Sequence, residues 1–250
     1  MSGRSIKLHL GTLNEKQDKV MRLKKRYVAY GGARGGGKSW LLRFAAKYRS
    51  LAYPGCRQLI IRETYPELYH NHIKTIVADT RDFAKYNDTK KELTLKNGSV
   101  IVFGYCQNEK DMQRYQGQEY DFEYLDEAGN IPEICIQEFR ATVRGTNDFP
   151  KRTMYTLNPG GKSHAYFRRV FVDRNFKSNE NPDDYGFVQA LPTDNKALME
   201  ANPDYLKDLE ALPERLRLAW LGGRWDIVAG QFFDSFRTDP DDNDLWTHVI

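Results

Sequence analysis

Short blocks of apolar and polar residues follow one another along this chain, and their spacing predicts alternating strands and helices. The apolar run at 26–32 predicts a buried strand, and a glycine-rich segment follows it. After that segment, residues 38–53 have the apolar spacing of an amphipathic helix, which Pro54-Gly55 ends. The same reading predicts a strand at 56–64, a helix from Pro66 toward 85, a hairpin at 92–105 around Asn97-Gly98, a strand at 120–128, a helix at about 132–144 and a strand at 152–159.

This order of elements predicts the fold class. A strand, a glycine-rich loop, a helix and then further strands and helices are typical of an α/β fold, a mostly parallel sheet covered by helices. Beyond residue 172 the pattern changes, because 173–186 is polar and predicts a mobile loop, whereas 195–224 predicts two short helices. We therefore expect a core at 1–172, a lid or linker subdomain at 173–228 and the start of a further linker at 229–250.

Composition limits the class of protein. The 250 residues are 40% hydrophobic and 29% charged, which is typical of a soluble globular domain with a substantial core. No apolar run is long enough to span a membrane, and the first residues lack the apolar segment of a secretory signal. Three cysteines without metal-ligand spacing fit a reducing compartment and predict buried thiols.

Charge is distributed unevenly along the chain. Residues 1–60 contain 14 basic and 2 acidic residues, whereas 178–250 contain 6 basic and 15 acidic residues. A basic first half suits a polyanionic partner such as nucleic acid. A solvated surface with segregated charge explains the same counts equally well.

The glycine-rich segment has the spacing of a phosphate-binding P-loop. Gly32, four further residues and Gly37-Lys38-Ser39 match G-x-x-x-x-G-K-[ST], with a strand before and a helix after. In such a loop the backbone N–H groups surround phosphate oxygens, the lysine reaches the β- and γ-phosphates, and the hydroxyl ligates Mg²⁺. The predicted nucleotide-binding residues are Gly32, Ala33, Arg34, Gly35, Gly36, Gly37, Lys38 and Ser39.

A later strand ends in two adjacent carboxylates. In "FEYLDEA", Asp126 is predicted to hold Mg²⁺, and Glu127 is predicted to polarise the attacking water, so the two side chains must point in different directions. The pair favours hydrolysis. Glu123 is an unexpected charge within this strand, which implies that it faces a partner or that the strand is less buried than its apolar neighbours indicate.

Two further predictions concern the triphosphate and the base. Thr156 and Asn158, at the end of the apolar run "YTLNP", are placed to sense the γ-phosphate, although an ordinary strand-to-turn junction also fits. Gln17 lies 21 residues before Lys38, and a glutamine amide can both donate to and accept from an adenine edge. A surface glutamine on a helix is the alternative.

Together these segments resemble the ATPase domain of viral large terminases, the motors that pack duplex DNA into preformed capsids. The resemblance is carried by "LNEKQ", "GGARGGGKS", "YQGQEYDFEYLDEAGNIP", "TLNP" and "GRWDIVAGQFF". It implies a P-loop NTPase with an additional strand and a catalytic glutamate, a small C-terminal helical lid, and ATP and Mg²⁺ as ligands. The implied partners are double-stranded DNA, the portal and the small terminase subunit. The resemblance implies a ring on the portal in the host cytoplasm, and it allows a monomer when the chain is alone.

The resemblance also assigns arginines. It implies that Arg34, inside the P-loop, senses the γ-phosphate or stabilises transition-state charge. Relatives often place a trans-acting arginine where this chain has Gln116, which leaves Arg114, Arg140 and Arg144 as candidates. The chain stops about where the family's nuclease would begin, so no nuclease activity is expected from it.

Other polar residues are assigned less specific roles. His70 and His72 are predicted to be surface histidines, because no third metal ligand of suitable spacing follows them. Arg62 could contact phosphate or DNA, or pair with Glu63 or Glu67. The rival functions are a helicase or remodelling ATPase, and a nucleotide-dependent assembly scaffold with negligible hydrolysis.

Overall fold

Within residues 10–227, the part of the chain that the computed structural model describes, eight strands form one sheet. The strands are β1 (Tyr27–Gly32), β2 (Arg57–Arg62), β3 (Ala84–Asn87), β4 (Glu92–Leu95), β5 (Val100–Tyr105), β6 (Phe122–Asp126), β7 (Arg152–Leu157) and β8 (Tyr185–Ala190). Their order across the sheet is β3-β4-β5-β2-β6-β7-β1-β8. The six strands from β5 to β8 in this order run parallel, and β3 and β4 add an antiparallel edge.

Helices connect the strands and cover both faces of the sheet. They are α1 (Glu15–Arg22), α2 (Lys38–Ala52), α3 (Tyr65–Leu68), α4 (Lys74–Thr80), α5 (Glu133–Thr142), α6 (His164–Phe167), α7 (Lys196–Ala201), α8 (Tyr205–Glu210) and α9 (Glu214–Trp220). A π-helical turn at Tyr69–Ile73 joins α3 to α4, so the segment from 65 to 80 is one helical rod with a wider turn inside it. No helix in the described part of the chain is long and apolar enough to cross a membrane.

Most predicted elements are confirmed within a few residues, including β1, α2, β2, the β4–β5 hairpin, β6, α5 and β7. Two strands were not predicted, namely β3 before the hairpin and β8 at the other edge. Residues 195–224 form three short helices instead of two. β8 lies inside 173–228 and pairs with β1, so the sheet extends past residue 172, where we placed the end of the core. The predicted linker at 229–250 lies outside the described residues.

The core lies on the two faces of the sheet. One apolar cluster is built around Tyr155, Phe139 and Phe167, beneath α5 and α6. The other is built around Leu41 and Ile60, beneath α2 and α4. The free thiols of the chain's three cysteines are all buried, as predicted. Packing on both faces fixes the central strands, whose carboxyl ends therefore form a rigid edge for a binding site.

Glu123, in the middle of β6, is fully buried, so neither explanation that we gave for it is correct. Its carboxyl accepts a hydrogen bond from the Thr142 hydroxyl, and its Oε2 has no partner among the described residues. Burial raises the pKa of Glu123 to about 8, against the opposing effect of the Thr142 hydrogen bond. The strand tolerates this side chain because the carboxyl can be buried in its neutral form.

Candidate nucleotide-binding site

A cleft of about 690 Å³ opens at the carboxyl ends of β1, β6 and β7. Parallel strands bring their carboxyl ends to one edge of a sheet, and ligands of open α/β sheets bind at that edge. The P-loop forms one wall, the residues after β6 and β7 form another, and α7 to α9 contribute the third. The lining residues from the first two walls are Arg34, Gly35, Gly36, Gly37, Lys38, Ser39, Trp40, Glu127, Gly129, Asn130, Asn158, Pro159, Gly160 and Gly161.

The P-loop has the backbone of an anion site. Gly35 and Gly37 have φ values of 79° and 71°, which glycine adopts without strain. α2 begins directly after Gly37, and no side chain of the described residues caps its first turn. The free N–H groups of that turn therefore remain available to a negatively charged ligand.

Not every predicted P-loop residue reaches the cleft. Gly32 ends β1, and the backbone N–H of Ala33 donates to Ala190 O at 2.9 Å, so these two residues belong to the sheet behind the loop. The Lys38 ammonium donates to Ala33 O within the loop. Burial lowers the pKa of Lys38 to about 8, against the opposing effect of Asp126 and Glu127.

Four side chains contact the carboxyl of Asp126, and this residue is 1% exposed. The Ser39 hydroxyl lies 3.1 Å from its Oδ1 and 3.0 Å from its Oδ2, and the Thr156 hydroxyl donates to Oδ1. On the other side, Arg62 Nη1 and His72 Nε2 each lie 2.8 Å from Oδ2. Burial opposes ionisation of this carboxyl, but the charges and hydrogen bonds of these partners outweigh it and hold the pKa of Asp126 well below its usual range.

Glu127 is more exposed than Asp126, although both carboxylates contact the same arginine. Its backbone is left-handed, with φ 51°, a conformation that costs a non-glycine residue ~1–3 kcal/mol and is typical of functional sites. The side chain is 37% exposed and lines the cleft. Its Oε1 lies 2.8 Å from Arg62 Nη2, so one arginine contacts both carboxylates.

Arg62 and His72 are the two residues whose role the sequence did not reveal. The predicted Arg62–Glu67 pair is present at 3.5 Å, but Glu63 pairs with Lys162 instead, and contacts with the acidic pair were not foreseen. The prediction of a surface position is wrong for His72, which is fully buried.

A signal for His72 was present in the sequence. The buried residues Leu68, His72, Ile76 and Thr80 follow one another at intervals of four along the helical rod. His72 therefore belongs to the buried stripe, whereas His70 is exposed.

The two residues predicted to sense the γ-phosphate are placed differently. Thr156 is fully buried and uses its hydroxyl on Asp126, so it lies behind the cleft. Asn158 lines the cleft, and its buried Oδ1 has no partner among the described residues. Next to Asn158 the loop is tightly packed, because a Cβ on Gly161 would lie 2.4 Å from Gly129 O. The loop after β7 therefore contacts the loop that carries Glu127.

Gln17 supports the P-loop from behind. It is 4% exposed, its Nε2 lies 3.3 Å from Gly37 O, and its Oε1 accepts from the Asn14 backbone N–H at 3.0 Å. The glutamine amide is therefore engaged within the chain. Contact with a base stays a prediction.

Arg34 lines the cleft next to α9. Its guanidinium carbon is 3.3 Å from the centroid of the Trp220 ring, and its backbone N–H donates to Trp220 O at 2.8 Å. A Cβ on Gly35 would contact Tyr205, so α8 and α9 both pack against the loop. The Arg34 guanidinium is thereby stacked on the indole of Trp220 in α9.

The segment after α9 contacts the P-loop and, through His164, the loop after β7. A Cβ on Gly223 would lie 3.0 Å from Ala33 N, next to the P-loop. Trp225 O accepts from His164 Nε2 at 3.0 Å, and His164 Nδ1 accepts from Gly160 N at 2.8 Å. Burial lowers the pKa of His164, which suits an imidazole with one donating and one accepting nitrogen.

The three candidate trans-acting arginines all have partners within the chain, and none lines the cleft formed by the described residues. Arg140 is held over the Tyr27 ring at 4.0 Å and donates to the Tyr185 hydroxyl at 3.0 Å. Arg114 pairs with Asp111, and Arg144 pairs with Glu119. Arg114 and Arg144 are about half exposed, so these two are accessible to another molecule.

Comparison with known proteins identifies the family. The sequence profile of the phage terminase large subunit matches residues 24–222, so this chain belongs to that family. No curated protein sequence matches the chain significantly.

Solved structures show the same fold. The large terminase of a thermophilic bacteriophage superposes with a TM-score of 0.68 at 16% identity, covering 86% of this chain and 54% of that one. The large terminase ATPase domain of Thermus phage P74-26 gives 0.61 at 16% identity, with 86% and 94% covered. The packaging motor assembly of bacteriophage Phi-29 gives 0.56 at 18% identity, with 92% and 72% covered. The chain thus spans about half the length of the first of these proteins.

Proposed function

We propose that this chain is an ATP-hydrolysing motor domain that drives double-stranded viral DNA into a procapsid. One observation carries the proposal. Ser39 of the P-loop lies 3.0 Å from Asp126, and Glu127, the next residue, extends into the same cleft. A phosphate loop, a hydroxyl–carboxylate pair and a separate exposed carboxylate are the groups that hydrolysis of a nucleoside triphosphate needs.

Different residues of the cleft have different roles in the reaction. The P-loop backbone, Lys38 and Arg34 bind the triphosphate, and the uncapped start of α2 stabilises its negative charge. Glu127 accepts a proton from water while the water oxygen attacks the γ-phosphorus. The bond between that phosphorus and the bridging oxygen breaks, giving ADP and phosphate. The Asn158 amide is placed to detect the loss of the γ-phosphate.

A magnesium ion fits the oxygen groups of the site. Ser39 and Asp126 present a hydroxyl and an ionised carboxylate side by side, and Mg²⁺ prefers such oxygen ligands. When bound there with the nucleotide, it would neutralise phosphate charge. The chain's own part is to hold these two side chains together before the nucleotide arrives.

Related structures support a nucleotide-driven motor. The thermophilic phage terminase has been solved in complex with ADP and with ATP-gamma-S, and the Phi-29 structure is of a packaging motor assembly. We extend to this chain a ring arrangement on the portal, contact with the small terminase subunit and action in the host cytoplasm. Double-stranded DNA would be held through its phosphates by basic residues of the first half, without base readout.

The test is steady-state ATP hydrolysis by this chain, with and without linear duplex DNA. We expect turnover that rises with DNA, and DNA binding that weakens steeply between 50 and 200 mM salt. Nucleotide binding without turnover, with and without DNA, would favour the scaffold function instead. Strand separation on a forked duplex would favour a helicase.

Glu127→Gln tests the assignment of the base. The substitution keeps the size of the side chain and removes its ability to accept a proton. We expect turnover to fall by ~10³-fold while nucleotide affinity is retained, because general-base catalysis typically contributes 10²–10⁴-fold. Glu133→Gln on α5 is a matched control outside the cleft lining. Turnover that survives in Glu127→Gln would show that another group activates the water.

A further inference from the structure

His72 makes a single side-chain hydrogen bond among the described residues, and its partner is Asp126. The imidazole is fully buried, and its Nε2 lies 2.8 Å from Asp126 Oδ2. The Asp126 carboxyl oxygens already receive the Arg62 guanidinium and the hydroxyls of Ser39 and Thr156, so they act as acceptors. Nε2 therefore carries the hydrogen and donates.

The donors around Asp126 are arranged on two sides. Ser39 and Thr156, from the P-loop and β7, reach Oδ1, with Ser39 also within reach of Oδ2. Arg62 and His72, from β2 and the helical rod, both reach Oδ2. Rotation of an aspartate carboxyl about its terminal bond is otherwise poorly restricted. Donors on Oδ2 therefore determine how Oδ1 is presented to Ser39.

Arg62 and His72 are not equivalent in this role. The Arg62 guanidinium contacts three carboxylates, because besides Asp126 it lies 2.8 Å from Glu127 and 3.5 Å from Glu67. Any change in Glu127 during turnover therefore acts on Arg62 as well. Within residues 10–227, His72 contacts no second carboxylate, so its hydrogen bond to Asp126 does not depend on the position of Glu127.

The local helix geometry explains how His72 reaches this position. The π-helical turn Tyr69–Ile73 contains the histidine, and such single wide turns occur frequently at functional sites. The next residue, Ile73, is buried in the apolar core, and Nδ1 of His72 has no partner among the described residues. An imidazole buried with one nitrogen unsatisfied is costly for stability. A purely apolar side chain would avoid that cost.

We propose that His72 is a positioning residue for Asp126, which fixes the carboxylate so that Oδ1 and the Ser39 hydroxyl are presented together to the magnesium–nucleotide complex. The proposal rests on the proposed function, because it takes Asp126 and Ser39 as the groups that hold the ion. It predicts that His72 controls the dependence of nucleotide binding on Mg²⁺, and not binding of the nucleotide alone.

The test is a Mg²⁺ titration of the binding of a fluorescent ADP analogue to the whole chain, repeated in EDTA. His72→Phe keeps a flat ring of similar size without a donor, and His72→Gln restores an N–H at similar reach. The exposed neighbour gives the matched control His70→Gln. For His72→Phe we expect the Mg²⁺ concentration at half-maximal binding to rise ~10-fold or more, as for residues that orient a metal ligand. His72→Gln should recover to within about threefold, and affinity in EDTA should be unchanged throughout.

Several outcomes would overturn the assignment. A wild-type Mg²⁺ dependence in folded His72→Phe would show that the histidine only fills space, as would an equal loss in EDTA. If His72→Phe does not fold, His72→Asn replaces it, because asparagine is too short to reach Asp126. A wild-type chain without Mg²⁺-dependent nucleotide binding would refute both the proposed function and this role. If the wild-type chain binds in this way and only the variants depart from the expected results, only the role of His72 is refuted.

Discussion

Two carboxylates on the same strand have pKa values that are shifted in opposite directions. Asp126, at the carboxyl end of β6, is 1% exposed, and Glu123, three residues earlier, is 0% exposed, so burial does not distinguish them. Four side chains donate to Asp126, and its pKa is held low. One hydroxyl donates to Glu123, and its pKa rises to about 8. The difference arises from the number of donors and cations within reach.

Position in the sheet determines that number. At the carboxyl edge, donors converge on Asp126 from the P-loop, the neighbouring strands and the helical rod. In the middle of the strand, Glu123 can be reached only from the adjacent strands and the helix above. Thr153, its neighbour on β7, leaves its buried hydroxyl without a partner among the described residues. Within β6, a buried charge is therefore stabilised at the carboxyl end of the strand and not in its middle.

The largest effect should follow removal of the charge at the edge. Asp126→Asn leaves Arg62 buried beside a neutral amide, although Glu127 and Glu67 still pair with it. The loss in free energy of unfolding should therefore stay below the ~3–5 kcal/mol typical of a fully broken buried ion pair. Turnover should fall ~100-fold or more, since a direct ligand matters at least as much as its supporting residues. ATP hydrolysis and urea unfolding measure the two losses. Near-wild-type stability would show that Arg62 does not depend on Asp126.

The second prediction concerns Glu123 and pH. The folded-state pKa, about 8, lies above the ordinary value of 4.5, so the folded protein retains a proton that the unfolded chain releases. Stability should therefore be full below about pH 4.5 and fall as pH rises toward 8, by up to ~1.4 kcal/mol per pH unit.

Glu123→Gln isolates this contribution. Glutamine has no proton to lose, so its stability relative to wild type should increase with pH across this window and then level off. Urea unfolding of both proteins from pH 5 to pH 9 measures the difference, in which other titrating groups cancel. Parallel stability curves would mean that Glu123 is ionised in the folded protein.

The smallest effects should come from a matched pair of threonines. Thr142 donates to Glu123, and Thr156 donates to Asp126. Thr156→Val leaves Asp126 with three donors, so stability should fall by only ~1 kcal/mol while turnover drops by ~10-fold. Thr142→Val leaves Glu123 without a donor, so it should cost ~1–3 kcal/mol and leave turnover unchanged. A loss of turnover in Thr142→Val, with only a loss of stability in Thr156→Val, would contradict the difference drawn here between Glu123 and Asp126.

The sequence predicted those parts of the site that are continuous in the chain. The P-loop, the acidic pair and the strand before Asn158 are each read from a few neighbouring residues, and the structure brings these segments together around one cleft. Contacts that depend on the register between distant segments were missed. Arg62 reaches Asp126 only because β2 and β6 are neighbours in the sheet, and no local pattern reveals that.

Other misses have local physical reasons. His72 was judged by the absence of a metal-ligand pattern, although its spacing on the buried stripe indicated the core. β8 follows a polar segment rich in turn residues and contains Gly186, so its strand signal is weak. It is fixed instead by pairing with β1, a tertiary effect.

The stacking of Arg34 on Trp220 gives the site an optical property. Indole emission depends on the surroundings of the ring, and this ring lines the cleft with a guanidinium 3.3 Å from its centroid. Under the proposed function, a triphosphate bound by the P-loop would compete with the indole for that cation. The cleft therefore contains its own fluorophore. The emission of this indole can report nucleotide occupancy, and not only turnover, in the unlabelled chain.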